Sequence, residues 1–414
     1  MNSNRVVITG MGVITPLGLT VDSMWSAMRA GKSAISAIDT FDVSAYKTRI
    51  AGVIRDFDAD EAIGRKEARR MDRFVQFAVA AAKQALDDAA LSLESANKDR
   101  IGVYIGSGIG GIRTMLDNYR TLLERGPGRV SPSVVPMMIA NMAAAQVSIL
   151  YGLKGPVLAP VTACATGNNA IGEAFHLIRR GGADAVIAGG SEATIIDLAL
   201  AGFGNATAMS TRNEEPERAS RPFDTERDGF VASEGAGVLV LESLDHAIRR
   251  GARIHAEVVG YGSSSDAYHV VATDPDGDGA FRAMRETLAD AGLRLEEVDV
   301  ISAHATSTPL GDLSETRAIK RLFGAGAGRI PVTANKSMLG HMLGAAGGVE
   351  AVALVKMIQD GIIPPTLNLD RPDPECDLDY VPNRARACEV RVGLSNSFGF
   401  GGHNAVIAIR KYER

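Results

Sequence analysis

Two stretches of the sequence repeat one another: LDDAALSL at residues 86–93 and LADAGLRL at residues 288–295. Their shared Leu, Asp and Ala positions keep a constant offset, and each stretch ends an amphipathic pattern with helical spacing. Each leads into an apolar run, Ile101–Ile105 or Val298–Ser302, and then into a loop of small residues. The repeated helix–strand–loop unit predicts two duplicated α/β halves, one spanning 1–255 and the other 256–414.

The rest of the chain alternates short apolar runs with amphipathic stretches, which is typical of a parallel sheet covered by helices. We expect helices at 74–89, 167–180 and 348–360. We expect strands at 5–8, 101–105, 185–188, 236–241, 298–302, 331–333 and 405–409.

The composition excludes several function classes. The 414 residues carry a net charge of −5, which gives no global basic surface for nucleic acid. The three cysteines are too few for a disulfide framework and lack the spacing of a zinc site, so a reducing compartment is expected. The N-terminus has no signal-peptide pattern, and the longest apolar stretch, 134–151, is too polar to span a membrane. We therefore expect a cytoplasmic protein that binds neither nucleic acid nor membrane.

Cys164 lies in VTACATG at 161–167, among small residues and just before a predicted helix. The positive end of a helix dipole favours a thiolate, which is the usual nucleophile for an acyl group carried as a thioester. A lone cysteine is nevertheless more often a buried structural residue.

His304 and His341 both follow predicted strands in loops rich in small residues, where functional side chains concentrate. Each histidine taken alone is more often structural. Lys336 stands in a small-residue loop; if it is buried it needs a carboxylate partner, and Glu350 is a candidate.

Two glycine-rich loops have different predicted meanings. SNSFGFGGHN at 395–404 precedes the last strand, and its glycines would let backbone N–H groups approach a ligand, although a plain tight turn is the alternative. GSGIGG at 106–111 spells the dinucleotide fingerprint. The second strand with a terminal acidic residue that the fingerprint requires does not follow, so we do not expect nucleotide binding.

Together these motifs resemble the β-ketoacyl-[acyl-carrier-protein] synthase family, most closely its type II members, over nearly the whole chain. The motifs are TACATG at 162–167, RPFD at 221–224, RDGF at 227–230, HATST at 304–308, NKS at 335–337 with GH at 340–341, and GFGG at 399–402. The resemblance implies a thiolase-like fold with two similar halves, each with a mixed sheet, in a five-layered αβαβα arrangement, a homodimer, and no metal or organic cofactor.

The resemblance also implies residue roles in an acyltransferase that elongates fatty acids by decarboxylative condensation with malonyl-acyl-carrier-protein. Cys164 would carry the acyl group, and His304 and His341 would stabilise the enolate. Lys336, supported by Glu350, would order the site, and Phe400 would supply an oxyanion-hole N–H and gate the acyl pocket. The implied substrate-binding residues are Ile109, Phe230, Thr306, Thr308 and Phe398.

The implied partner is an acyl carrier protein, whose acidic surface would dock on Lys66, Arg69, Arg70 and Arg129. This chain departs from the family by lacking a further basic residue near Gly128 and Thr207, and by carrying Ala305 where Gly is usual. The alternatives are a polyketide-type ketosynthase with the same chemistry and a non-catalytic ketosynthase-like subunit. A degradative thiolase would need a second cysteine in the final glycine loop, and a starter condensing enzyme would need Asn in place of His341.

Overall fold

The computed structural model describes residues 4–413. Within this range the strands are β1 Val6–Ile14, β2 Ile35–Ala37, β3 Ile50–Gly52, β4 Ile101–Gly106, β5 Val157–Leu158, β6 Ala185–Glu192, β7 Gly235–Ser243, β8 Ala256–Ser265, β9 Val300–Ser302, β10 Val332–Thr333, β11 Ile362–Ile363, β12 Arg386–Ala387, β13 Val392–Gly399 and β14 His403–Arg410.

The helices within the same range are α1 Val21–Arg29, α2 Ala59–Ile63, α3 Arg65–Ala68, α4 Arg73–Ala89, α5 Ile112–Arg125, α6 Val134–Met138, α7 Met142–Tyr151, α8 Thr166–Arg179, α9 Asp197–Asn205, α10 Leu244–Arg249, α11 Asp278–Ala291, α12 Pro309–Phe323, α13 Lys336–Leu339 and α14 Ala346–Asp360. Among these described helices, none combines the length and apolar character needed to cross a bilayer.

The main sheet has the strand order β10-β9-β13-β14-β8-β1-β7-β6-β4-β5. The two sets of five strands have the same order when read outward from the centre of the sheet. One set runs β1-β7-β6-β4-β5, and the other runs β8-β14-β13-β9-β10. The strand directions match as well: β4 and β9 are parallel to their neighbours, whereas β7 and β14 are antiparallel to theirs. The halves join where Val6–Ile8 pairs antiparallel with Ala256–Val258.

The duplicated α/β fold and the mixed sheet that the resemblance implied for each half are confirmed, whereas the parallel sheet indicated by the alternating pattern alone is wrong. The sheet is mixed, because β7 and β14 run antiparallel to β6 and β13. The segment 395–399, interpreted from the sequence as loop, belongs to β13, and β8 had no predicted counterpart. The division of the chain after residue 255 stays a prediction.

Five layers follow from the helix contacts. Helix α4 covers β1 and β7, and α11 covers β8 and β14, while α8 and α14 contact strands of both halves between them. The two central helices touch through glycines: a Cβ on Gly167 would lie 2.6 Å from the backbone nitrogen of Gly348. A side chain at Gly167 would therefore force the two central helices apart.

The structure explains the repeated aspartates of the sequence. Asp88 accepts the N–H of Met11 at 3.0 Å, and Asp290 accepts the N–H of Tyr261 at 3.1 Å. In each half, therefore, an aspartate near the end of a covering helix fixes the first strand to that helix.

A second repeat, GMG at 10–12 and GYG at 260–262, lies at the same contact. A Cβ on Gly10 would lie 2.0 Å from the carbonyl oxygen of Ala85, and one on Gly260 would lie 2.4 Å from that of Thr287. These glycines let α4 and α11 lie directly on the strands, and they are a sign of duplication that the sequence interpretation missed.

Candidate active site

Cys164 lies in a tight turn that enters α8. Ala163 has a left-handed backbone (φ +50°) at the start of a single 3₁₀ turn, Ala163–Ala165, and α8 follows at once. Cys164 is buried, and its Sγ lies 3.0 Å from Nε2 of His341. The thiol predicted as nucleophile therefore has a histidine within hydrogen-bonding reach.

Burial raises the pKa of the Cys164 thiol to about 12. The Lys336 cation and the backbone N–H of Phe400 lower that pKa, but they do not offset the loss of water. Desolvation therefore opposes the thiolate that the helix start favours. The resting form at neutral pH is the thiol.

His304 and His341 meet at this turn from separate elements. His304 follows β9, and His341 lies between α13 and α14; the ring centroids are 5.3 Å apart, with the rings nearly perpendicular. The backbone of His341 is fixed by hydrogen bonds to the carbonyl of Val231 (2.7 Å) and from the N–H of Ser233 (3.0 Å).

Burial and the Lys336 cation hold the pKa of both imidazoles well below the usual range, so both are neutral at physiological pH. Nδ1 of each ring is buried without a hydrogen-bond partner among the described residues. Nε2 is therefore the nitrogen through which each imidazole can reach a ligand.

Lys336 and Glu350 form the buried pair that the sequence suggested. Nζ of Lys336 lies 2.5 Å from Oε1 of Glu350, and each side chain is only 2% exposed. Burial raises the pKa of Glu350 to about 7 despite the adjacent ammonium group. Losing one member of such a pair typically costs about 3–5 kcal/mol, because an uncompensated charge stays buried.

Glu315 on α12 supports His304 and was missed by the sequence analysis. Its carboxylate accepts the N–H groups of His304 (2.9 Å) and Ala305 (2.8 Å) and the amide of Asn396 (2.9 Å). Ala305 has φ +30°, where a Cβ costs roughly 1–2 kcal/mol, so these bonds hold a strained turn. No local pattern marks Glu315, because its partners lie in two other segments, the turn at 304–305 and Asn396 on β13.

The RPFD and RDGF motifs hold this region together from outside the site. Arg221 pairs with Asp224 at 3.0 Å, and Nη1 of Arg227 pairs with Asp373 at 2.9 Å. Buried Asp312 accepts the N–H groups of Phe223 (2.9 Å) and Ser307 (3.1 Å). The segment 221–230 is thereby fastened to the loop that begins at His304.

A cavity of about 460 Å³ opens over these groups. Eight of the residues predicted as site residues line it: Cys164, Phe230, His304, Thr306, Thr308, His341, Phe398 and Phe400. The hydroxyl oxygens of Thr306 and Thr308 lie 3.2 Å apart. Gly399 brings Phe400 close to the thiol, because a Cβ on Gly399 would lie 3.0 Å from the backbone nitrogen of Cys164.

Ile109 is not among the residues that line this cavity, and its side chain is 38% exposed. The four predicted docking residues, Lys66, Arg69, Arg70 and Arg129, are exposed and make no ion pair with any residue in 4–413. The roles of all these side chains stay predictions.

The GSGIGG loop is occupied from within the protein. The backbone N–H groups of Gly108 (2.8 Å) and Ile109 (3.2 Å) donate to the carboxylate of Glu192, a residue to which the sequence analysis assigned no role. Because a buried carboxylate already takes these donors, the loop has no room for a phosphate.

Comparisons with known proteins identify the family. Residues 3–247 match the family described as "Beta-ketoacyl synthase, N-terminal domain", and residues 255–370 match "Beta-ketoacyl synthase, C-terminal domain". The chain is 53% identical over 413 residues to the 3-oxoacyl-[acyl-carrier-protein] synthase 2 of Synechocystis, covering 100% of the chain and 99% of that protein. It is 51% identical over 411 residues to the Staphylococcus aureus protein of the same name, covering 99% of each.

The fold is shared with a solved ketosynthase. A structure described as a type II PKS acyl-carrier protein in complex with its ketosynthase bound to the hexaketide matches with a TM-score of 0.91 and 36% identity, over 99% of this chain and 100% of that one. The family models cover most of the sequence, and the curated relatives match it end to end. The chain belongs to the β-ketoacyl synthase family.

Proposed function

We propose that this protein is a 3-oxoacyl-[acyl-carrier-protein] synthase that elongates fatty acids. It transfers an acyl group from an acyl carrier protein to Cys164 and condenses it with malonyl-acyl-carrier-protein, releasing carbon dioxide. The observation that carries the proposal is the contact of 3.0 Å between the Cys164 thiol and Nε2 of His341, beside neutral His304, on the wall of one cavity.

In the first step the sulfur of Cys164 attacks the carbonyl carbon of the acyl thioester. The backbone N–H groups of Cys164 and Phe400, both directed at the sulfur, stabilise the oxyanion that forms. The carbon–sulfur bond to the carrier breaks, and the proton of Cys164 passes to the departing thiol. Since the thiol has a pKa of about 12, this proton must leave as the new bond forms and pass to the departing carrier sulfur.

In the second step the malonyl thioester binds with its carbonyl oxygen toward the two imidazoles. Nε2–H groups of His304 and His341 donate to that oxygen as the carboxylate leaves, so the developing enolate is stabilised without a charged acid. The enolate carbon attacks the acyl thioester on Cys164, the carbon–sulfur bond breaks, and the Cys164 thiolate that leaves takes up one proton from solvent. The product stays on the carrier, two carbons longer.

Lining side chains complete the proposal. The hydroxyls of Thr306 and Thr308 contact the pantetheine arm along the cavity wall, and Phe398 lies against His304 at a ring distance of 5.7 Å. Phe230 packs edge-on against His341 at 5.5 Å, which supports a role on the malonyl side. Phe400 gates the acyl group, and Ile109 lines the acyl pocket beyond the cavity described above.

The carrier protein docks on Lys66, Arg69, Arg70 and Arg129. All four cations are exposed, and none is neutralised by an ion pair among residues 4–413, so each is available to an acidic partner. A docking contribution from this patch should weaken as ionic strength rises.

A second copy of the chain covers the open edge of the main sheet. The sheet ends at β5, whose Val157 and Leu158 are each 44% exposed, and neighbouring Ile149 and Leu123 are 68% and 67% exposed. An apolar edge of this kind favours pairing with another strand. We propose a homodimer built on β5, and Leu158→Arg should convert it to a monomer in light scattering.

A cytoplasmic location is proposed because all three cysteines are free thiols.

A polyketide-type ketosynthase is the second candidate, because the ketosynthase solved with a hexaketide has the same fold. Fatty acid elongation is preferred, since identity to the curated synthases is 51–53% and identity to that ketosynthase is 36%. A saturated long-chain acyl donor should therefore be used better than a polyketone.

The test is intact-protein mass spectrometry after incubation with a long-chain acyl-acyl-carrier-protein, followed by malonyl-acyl-carrier-protein. Wild type and Cys376→Ala, which removes a buried cysteine outside the site, should each gain one acyl group and discharge it as a product two carbons longer. Cys164→Ala should gain none. Failure of wild type to accept any acyl donor would refute the proposal.

A further inference from the structure

The turn that carries Cys164 has a counterpart in the other half of the protein. Leu343 has φ +46° at the start of a 3₁₀ turn, Leu343–Ala345, and α14 follows. This repeats the geometry of Ala163 (φ +50°) before α8, so Gly344 occupies the place of Cys164. The N–H of Gly344 thus corresponds to the Cys164 N–H, which is directed at the reacting sulfur.

The neighbouring strands match in the same way. β6 and β13 each have eight residues and occupy equivalent places in the sheet. Their last residues are Glu192 and Gly399. A Cβ on Gly399 would lie 3.0 Å from the backbone nitrogen of Cys164, whereas Glu192 places a carboxylate oxygen 3.0 Å from the backbone nitrogen of Gly344. One half leaves its N–H open to substrate, and the other fills the same position with its own anion.

Four donors surround this carboxylate. Oε2 accepts the N–H groups of Gly108 (2.8 Å) and Gly344 (3.0 Å), and Oε1 accepts the hydroxyl of Ser107 (2.8 Å) and the N–H of Ile109 (3.2 Å). The oxygen of Ser107 itself accepts from the N–H of Gly110 at 2.9 Å, so its proton is directed to Glu192. Glu192 is fully buried and has no ion-pair partner within residues 4–413. Burial raises the pKa of Glu192, whereas the four donors lower that pKa, and the carboxylate is the form that accepts from all four at once.

We propose that Glu192 is a positioning residue, a built-in anion that occupies the second, non-catalytic copy of the oxyanion hole and thereby fixes two parts of the active site. Through Gly108 and Ile109 it holds the loop that carries the proposed wall of the acyl pocket. Through Gly344 it holds the turn Leu343–Ala345, which follows His341. Space is made for it by glycine, because a Cβ on Gly108 or on Gly344 would lie 2.8 Å from Oε2.

The inference rests on the proposed function for its activity readout, and chemical rescue tests it. Glu192→Ala removes the anion but leaves the four donors in place, so formate should restore what the substitution removes. We expect kcat/KM for condensation to fall roughly a hundredfold, the scale expected for a displaced catalytic group. Millimolar formate should restore kcat/KM of Glu192→Ala to at least about a tenth of the wild-type value, and chloride at equal ionic strength should not.

Glu192→Gln is the matched control, because it fills the same volume yet directs an amide NH₂ at two N–H donors. Its kcat/KM should fall by at least about tenfold, the scale for an unsatisfied buried group, and formate should not rescue it since the site is full. A folded Glu192→Gln protein with wild-type kcat/KM would overturn the inference even if Glu192→Ala does not fold. Formate that raises the melting temperature of Glu192→Ala without raising kcat/KM would also overturn it.

Hydrogen exchange separates this inference from the proposed function. The amides of Gly108 and Gly344 should exchange faster in Glu192→Gln than in wild type, and faster still in Glu192→Ala unless formate is present. Unchanged exchange would refute the anchoring role whether or not the protein condenses acyl groups. Wild type that shows the exchange pattern but no condensation would refute only the proposed function.

Discussion

The turns at Cys164 and Gly344 have the same backbone and opposite chemistry. Each begins with a left-handed residue, Ala163 or Leu343, and each leads into a central helix. The first carries a thiol and leaves its N–H open, whereas the second carries glycine and closes its N–H with Glu192. The difference teaches that duplication supplied the scaffold, and that substitutions at strand ends and turns made only one copy able to react.

The contacts between covering helix and first strand, in contrast, are the same in both halves. Gly10 and Gly260 lie against helix carbonyls, and Asp88 and Asp290 accept equivalent N–H groups. Close packing tolerates few alternatives, because any added side chain would overlap backbone atoms. The interior of the two halves therefore stayed alike while their loops diverged.

The largest expected effect comes from removing the thiol that distinguishes the two turns. Cys164→Ala should lower the condensation rate by about 10⁴-fold or more, the scale of loss for a deleted nucleophile. Both imidazoles remain, so release of carbon dioxide from malonyl-acyl-carrier-protein should persist. The measurements are product formation by mass spectrometry and ¹⁴CO₂ release. Equal loss of both would contradict the assignment of condensation to Cys164 and of decarboxylation to the two imidazoles.

The next effect concerns His304, whose backbone N–H is bonded to Glu315. His304→Ala should leave acylation of Cys164 nearly intact and slow decarboxylation by about 10²–10³-fold, the loss expected for one donor to a developing oxyanion. Single-turnover acylation and decarboxylation should be followed separately. If acylation slows as much as decarboxylation, His304 acts in the first step and the proposed roles are wrong.

A smaller effect is expected at the contact between the two central helices. Gly167→Ala places a methyl 2.6 Å from the backbone nitrogen of Gly348 and should lower the free energy of unfolding by about 1–3 kcal/mol. The control is Gly204→Ala on α9, where a Cβ meets no atom within 4 Å. Urea unfolding checks both variants. Equal free energies of unfolding for the two variants would show that α8 and α14 accommodate the added methyl without cost.

The smallest expected effect is a pH dependence of stability. The pKa values of His304 and His341 are lowered in the folded protein, so the unfolded chain binds protons more readily below about pH 6.5. Each histidine should therefore reduce the free energy of unfolding by up to about 1.4 kcal/mol per pH unit as the pH falls below that value.

This contribution is isolated by comparing wild type with His304→Asn between pH 7.5 and pH 5.5, since other titrating groups are common to both. The variant should lose less stability than wild type over this interval in urea unfolding. An identical loss would show that the folded protein does not resist protonation of His304.

Much of the fold could be predicted from sequence because its repeats are local. The spacing of Leu86, Asp88 and Leu91 recurs in the second half, and such patterns reflect contacts between one helix and the strand beside it. The apolar pattern alone could not give the direction of the strands, because direction depends on how the chain returns after β6 and β13; the mixed sheet came only from the family resemblance. Phe230, Phe398 and Thr308 were assigned to the same site as Cys164 by the resemblance of motifs and not by periodicity.

By itself, the sequence determined the duplicated α/β scaffold, the position of Cys164 at a helix start, and the histidines in loops after strands. These features follow from neighbours in the chain. Only the tertiary structure decided the Cys164–His341 contact, the neutral imidazoles, the protonated thiol, and the anchoring by Glu192 and Glu315. A pKa depends on water excluded by distant segments, and a buried carboxylate is defined by donors that lie far away in sequence.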